Sequence, residues 1–417
     1  MSKKCIRKVE SMFSRISGFH GLRLEYLIAL VLLFNAFSWY FFCNLTINNS
    51  REIYSEGSSE SLSLQLAYPS SIIISAILAS LSLIYVRKKH FFISWIIVGI
   101  GSSISSAFLP GSSLVVKLAI TIFMGSSLGI GMPMCLNYFR ELIPIEKRGK
   151  MGGITFLAIV IGAIFFMAVV PELDPTANAI VLAAWRGWSL VVLYFVREPK
   201  KTFEGLSDRK EAYHGFPWNR TFFLYFTTWF MFALVSGFGS NIITFYGGNY
   251  RGQLRLVEPA ISGFSALITG AFSDWIGRKR VITFGFVSLG LAYAVLGLAP
   301  EMWFSWFFFY MIDGIAMGLL WVPFIVVLWG EISRNGIEKA YAIGEAPYFL
   351  TGIVSSLLAP FTSFIPRTSA FSLAALFLFV AVIPLMYVPE TLPEKKIKER
   401  ELKMYIGEAK KIKEKYA

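Results

Sequence analysis

Over 417 residues the chain is 55% hydrophobic and 16% charged, against about 25% charged in an ordinary soluble domain, and it carries a net charge of +13. That balance excludes a soluble globular protein and defines a polytopic membrane protein. The basicity does not read as nucleic-acid binding, because the basic residues are spread over seven segments on one membrane side with no soluble domain to carry them.

A membrane-crossing helix needs about 20 mostly apolar residues. Twelve stretches meet that need: 24–47, 66–86, 91–109, 113–138, 152–170, 177–196, 219–246, 257–273, 280–298, 302–329, 341–363 and 368–388. The first 23 residues are basic, but the apolar segment after them is too long for a signal-peptide core and lacks a small-residue cleavage site, so it is read as a retained span. Of the 39 Lys and Arg, 33 fall on alternate connections and the two termini, whereas Arg51, Arg251, Arg255 and Arg367 fall on the other side. The excess of Lys and Arg inside places both termini in the cytoplasm. Residues 197–218 form the longest polar interruption and divide the chain into a first six-span bundle (1–196), a cytoplasmic central loop (197–218), a second six-span bundle (219–388) and a charged tail (389–417).

The first span holds Asn35 and Asn44 but no interior acid, and the sequons at Asn44 and Asn48 permit glycosylation near the outer face. Cys5, Cys43 and Cys135 suggest no disulfide framework, and His20, His90 and His214 all lie in cytoplasmic segments. A histidine relay, a His-based metal site or a catalytic triad within the membrane is thereby excluded. The sixth span carries Arg186 near half-depth, where it must find a partner. It is read as a counterion for an anionic substrate, as a charge pair with Asp313, or as a structural group held between Trp185 and Trp188 or within its own half. Lys117, near the outer end of the fourth span, reads as an interfacial anchor.

In the seventh span the run Ser236–Tyr250, S-G-F-G-S-N-I-I-T-F-Y-G-G-N-Y, predicts an interrupted helix, in which Asn241, Thr244 and Tyr246 could bond a substrate along with Asn35. Small and amide residues also glue helices together, so each of these has a packing role open to it. Trp321 could supply a stacking wall. Asp313 lies 12 residues from Glu301 and 18 from Glu331, roughly mid-membrane. A carboxylate there costs about 2.5 to 3.5 kcal/mol on insertion scales and should face water, a partner or a substrate. It is the leading candidate for proton coupling or cation binding, the alternative being a structural Asp at a helix break near Gly314. Glu345 and Tyr348, toward the inner end of the eleventh span, read as gate or loop contacts. The tail after Pro389 has apolar residues at helical spacing and is expected to lie as a surface helix on the lipid of the inner leaflet.

The halves repeat each other. The fourth-to-fifth connection reads R-E-L-I-P-I-E-K-R-G-K-M-G-G from Arg140, and the tenth-to-eleventh reads G-E-I-S-R-N-G-I-E-K-A-Y-A-I-G from Gly330. Each sets a Glu (Glu141, Glu331) at a helix end, then a basic residue (Arg148, Lys339), then a Gly opening the next helix. Between the eighth and ninth spans stands a six-residue charged turn with Asp274, Gly277 and Arg278, and Arg280 follows it directly. Its sister between the second and third spans keeps Arg87, Lys88 and Lys89 but has no Asp or Gly in register.

This turn resembles the D-R-x-G-R-K/R loop signature of the major facilitator superfamily. Glu141, Pro144, Arg148 and Gly149 resemble the E-x-x-P-x-x-x-R-G pattern of its sugar-porter-like branch. Val388-Pro389-Glu390-Thr391 resembles that branch's P-E-T ending, and Arg197-Glu198-Pro199 partly resembles its P-E-S-P-R. The resemblance covers essentially the whole chain. It implies an all-helical major facilitator fold, a cavity lined by spans one, four, seven and ten, and an inner gate held by Asp274 and the basic residues with Gly277. It departs from the branch at Thr121, where sugar porters commonly carry Arg, and in the missing first-span acid, which leaves the coupling ion and a sugar substrate open.

The chain is therefore read as a secondary active transporter in the cell membrane that moves a small organic solute by alternating access, coupled to protons. No Walker A loop is present and no cofactor, ATP or nucleic acid is expected; the partners are a solute, protons and lipids. The alternatives are a gradient-driven uniporter and a non-transporting sensor that kept the fold.

Overall fold

The computed structural model describes residues 24–51, 59–82, 88–170, 173–195, 218–254, 256–333 and 336–392. The tail helix, the central loop and the basic cluster at Arg87 fall wholly or partly outside these residues. Twelve helices carry the fold, and among the described residues there is no strand. They are α1 (Leu24–Arg51), α2 (Ser59–Ser82), α3 (Lys88–Ser105), α4 (Leu114–Leu142), α5 (Arg148–Val169), α6 (Pro175–Phe195), α7 (Arg220–Leu254), α8 (Val257–Ile276), α9 (Arg278–Leu298), α10 (Trp303–Trp321, continued to Ile332), α11 (Ile337–Leu358) and α12 (Arg367–Val380, continued to Met386). The expected spans map onto them one to one. The helix α7 runs on to Leu254 and not 246, and α2 begins at Ser59 and not at 66: the Ser-rich start lowers its hydropathy, while Glu60 suits the positive end of the helix dipole. Among the described residues, eleven helices are long and apolar enough to cross a membrane; α8, which carries Glu258 and Asp274 near its two ends, is not one of them.

Helices α1–α6 and α7–α12 form two bundles that meet along α5 against α8 and α2 against α11. Small residues make the first seam. A Cβ at Gly149 would come within 2.3 Å of the Gly270 carbonyl oxygen, and one at Gly153 within 2.4 Å of that of Ala266, so the two backbones touch.

Two expected helix breaks move. The seventh helix stays regular through Asn241, Thr244 and Tyr246, and breaks only at Gly248 (φ 42°, ψ −124°), a conformation that glycine alone adopts easily. The tenth helix is unbroken at Gly314. That glycine is there for close approach, since a Cβ would lie 2.8 Å from the Glu258 carbonyl oxygen. The irregularity comes later, where Val322–Val327 are π-helical and Leu328 N–H bonds the Pro323 carbonyl. Pro323 cannot donate to the regular ladder, and such bulges recur at functional positions.

Candidate functional site

An aromatic layer crosses between the bundles. Tyr40 of α1 stacks on Tyr68 of α2 at 5.9 Å and meets Tyr348 and Phe349 of α11 at 6.1 and 5.5 Å between ring centres. Trp321 ends the regular part of α10 and lies 5.9 Å from Phe156 of α5 and 6.2 Å from Tyr348. No member of this layer carries a charge.

Toward the end that bears the basic loops, a charged latch joins the halves. Asp274, in the last turn of α8, accepts hydrogen bonds from the backbone N–H groups of Gly149 (2.9 Å) and Lys150 (2.7 Å) in the first turn of α5. Those donors have no partner in their own helix, and the dipole there favours an anion. Arg278, with no exposed surface, pairs with Asp274 at 2.7 Å, bonds Glu331 at 3.2 Å and donates to the Ile145 carbonyl at 2.9 Å. Glu331 also lies 3.8 Å from Arg148 and accepts from the Thr391 hydroxyl at 2.7 Å. Arg140 donates to the Gly330 carbonyl (2.6 Å) and Asn137 to Glu338 (2.6 Å). Buried ion pairs repay their desolvation only when such extra bonds satisfy them.

Gly277 (φ 105°) makes the turn between α8 and α9, and Glu390 closes it from the far end of the chain. That carboxylate accepts from the N–H groups of Arg278 and Lys279 at 2.8 and 3.0 Å, capping the start of α9. Of the other expected gate residues, Arg280 is exposed, Glu141 is exposed and accepts from Asn137 at 3.4 Å, and Lys339 is buried in the first turn of α11.

The remaining polar candidates, exposed Thr244 apart, bond within their own bundles. Asn35 is buried, donating to the Trp185 carbonyl (2.6 Å) and accepting from Arg186 (2.7 Å). The Arg186 guanidinium sits 4.1 Å from the Trp95 ring centre and 5.2 Å from that of Trp39, deep in the first half. It makes no pair with Asp313, and its aromatic neighbours are these two rings and not Trp185 and Trp188. Lys117, in the first turn of α4, is buried in the protein. Asn241 exchanges hydrogen bonds with Ser355 of α11 (2.7 and 2.9 Å), Thr244 is exposed and bonds back to the Ser240 carbonyl, and Tyr246 donates to the Ile365 carbonyl.

Asp313 is buried with its carboxyl beside that of Glu258, at the head of α8. The sequence made Asp313 a lone acid. Glu258 escaped notice because it reads as a residue at the mouth of a span, and only the offset of α8 along α10 brings the two level. Glu390 was likewise visible as a motif but not as a cap. Among the described residues no group of His, Cys, Asp and Glu is placed to hold a metal ion.

Among the described residues, twelve helices form two bundles joined at one end by a charge latch. Residues 259–414 match the family model of the Major Facilitator Superfamily. The proton:xylose symporter XylE bound to 6-bromo-6-deoxy-D-glucose has a TM-score of 0.65 at 17% identity, covering 88% of this chain and 96% of that one. A partially occluded inward-open XylE from E. coli gives 0.61 at 18%, covering 88% and 98%. The human organic anion transporter MFSD10 (TETRAN) gives 0.65 at 11%, covering 87% and 99%. No curated protein sequence matches the chain. The second half of the chain thus matches the family model of the superfamily, and the chain as a whole shares the fold of these membrane transporters.

Proposed function

We propose that the chain is a secondary transporter of a neutral, hydroxyl-bearing organic solute of the sugar class, working by alternating access in the cell membrane with its basic end in the cytoplasm. The observation that carries this reading is the uncharged aromatic layer of Tyr40, Tyr68, Tyr348, Phe349, Trp321 and Phe156 where the bundles meet. Rings with hydroxyl and indole edges suit a solute that offers C–H faces and hydroxyls together. Arg186 would favour an organic acid, and Asp313 an organic cation, but both are buried within their bundles. The likeness to a xylose symporter agrees with this choice.

The latch is the closed inner gate. Proton coupling is assigned to the Asp313–Glu258 pair, where a proton can be lost and regained when water reaches it. Uptake by proteoliposomes of a panel of sugars, carboxylates and organic cations, with and without a pH gradient, tests the reading. Sugar accumulation driven by the gradient, lost in Asp313→Asn while exchange persists, is expected. Flux of carboxylates alone would move the substrate class, and accumulation untouched by the substitution would remove the pair from coupling.

A further inference from the structure

One buried acid is used by neither the latch nor the pair. Glu345 of α11 is 3% exposed, and both of its carboxyl oxygens lack a hydrogen-bond partner. It shares a face of α11 with Tyr341, four residues toward the latch, and with Tyr348 of the aromatic layer, three residues the other way. The two levels it separates are therefore the ones that must open in turn for a solute to pass.

The surroundings supply no cation. The indole N–H of Trp329 lies beside the carboxyl without closing a well-formed bond, and a Cβ at Gly344 would meet the Trp329 ring at 2.2 Å, so this wall is close-packed. Tyr341 donates its hydroxyl to the Val326 carbonyl released by the π-helical stretch, and Tyr40 of α1 stands behind Tyr348. From α4 and the turn after it come Arg140 and Arg148, which are engaged by the carbonyls of Gly330, Ile143 and Arg140 and by Glu331. Helices α2 and α7 bring no charged residue away from their ends. A carboxylate held dry and unpaired is strongly disfavoured, and such a group neutralises itself by taking up a proton.

We propose that Glu345 is a second proton-binding group of the carrier: it holds a proton while the basic end is closed and releases it to cytoplasmic water when the latch parts. The reaction is Glu345–COOH giving Glu345–COO⁻ and a proton to water, with no other bond changed. The release direction rests on the transporter reading given above; the protonation itself does not. Glu345 then lies on the latch side of the aromatic layer, whereas the Asp313–Glu258 pair is reached along α10 in the opposite direction from Trp321.

Two measurements on the full chain in lipid vesicles test this without needing the solute. Infrared difference spectra recorded as pH is stepped are expected to show a protonated-carboxyl C=O band that disappears at high pH. Glu345→Gln should remove the Glu345 component of that band, leaving what the Asp313–Glu258 pair supplies, and Asp313→Asn should retain it. Spin-label distances between positions 147 and 284, exposed on opposite halves near the basic end, are expected to lengthen as pH rises. The open-to-closed ratio should rise about tenfold per pH unit where one proton is released, and change less than about twofold in Glu345→Gln, which mimics the protonated acid. A Glu345→Gln spectrum that superposes on the wild type, or distances that follow pH as in the wild type, overturns the proposal. Absence of flux for every solute would instead strike the transporter reading and leave these two readouts standing.

Discussion

The connections after α4 and α10 spell nearly the same residue order and behave differently. In the second half, Glu331 is a fully buried side chain that gathers Arg278, Arg148 and Thr391. In the first half its counterpart Glu141 is exposed and accepts from Asn137 at 3.4 Å. Arg148 binds the end of its own α4 through the Ile143 and Arg140 carbonyls and then reaches across to the acid of the other half. A repeat in sequence has thus become one latch with contributions from both sides. Burial, not residue order, decides which acid holds it.

The sharpest way to break this comparison is to remove the two acids separately. Glu331→Ala leaves Arg278 buried beside Asp274 alone, and stripping one partner from a buried ion pair costs about 3–5 kcal/mol. Glu141→Ala is expected to stay within about 0.5 kcal/mol, as exposed substitutions do. Thermal unfolding of the two purified variants checks this, and equal shifts would mean that the two halves contribute alike.

Asp274→Asn keeps the shape and a weaker acceptor for the Gly149 and Lys150 N–H groups, but loses the charge that faces Arg278. A loss of about 1.5–3 kcal/mol is expected, as for a hydrogen bond to a charged group. Its signature is greater reactivity of a cysteine placed at Ser273, which is wholly buried in the closed latch.

The glycines that open α5 and lie near the start of α11 sharpen the same contrast. Gly149 presses on the backbone of α8, and a methyl there meets the Gly270 carbonyl oxygen, which cannot rotate away. Gly344 presses on the Trp329 ring of its own half. Gly149→Ala should destabilise closure by about 1–3 kcal/mol, as overpacking does. Gly344→Ala should disturb Trp329 fluorescence and the pocket of Glu345 while leaving the distance between halves unchanged.

Much of this was readable beforehand for a physical reason. Hydropathy and basic loops report what the bilayer demands of every span, so all twelve helices and the charged turns were found near their places. What a polar side chain faces within a bundle depends on rotation and offset between helices, which no local pattern encodes. Asn35 and Asn241 therefore looked like ligand groups and are found binding neighbouring helices. Glu258 and Glu390 reach their partners only after distant segments have packed. The π-helical stretch follows from Pro323, yet a proline in a span can equally kink it, so its form had to be seen.

The smallest effect is predicted for the most conspicuous charge. Arg186 has no carboxylate among its described partners; it holds one amide oxygen and two indole rings, and its Nε and Nη2 make no hydrogen bond. Replacing a buried charge by an apolar side chain of similar length is often neutral or stabilising, because its desolvation cost vanishes with it. Arg186→Met should leave the unfolding midpoint and solute uptake close to wild type. Asn35→Ala, which leaves the guanidinium without its one hydrogen-bonded acceptor, should cost about 1.5–3 kcal/mol. The order of the two variants is the test. If Arg186→Met abolishes uptake while Asn35→Ala does not, the guanidinium reaches the solute during the cycle, and the aromatic layer loses its standing as the surface that selects a neutral molecule.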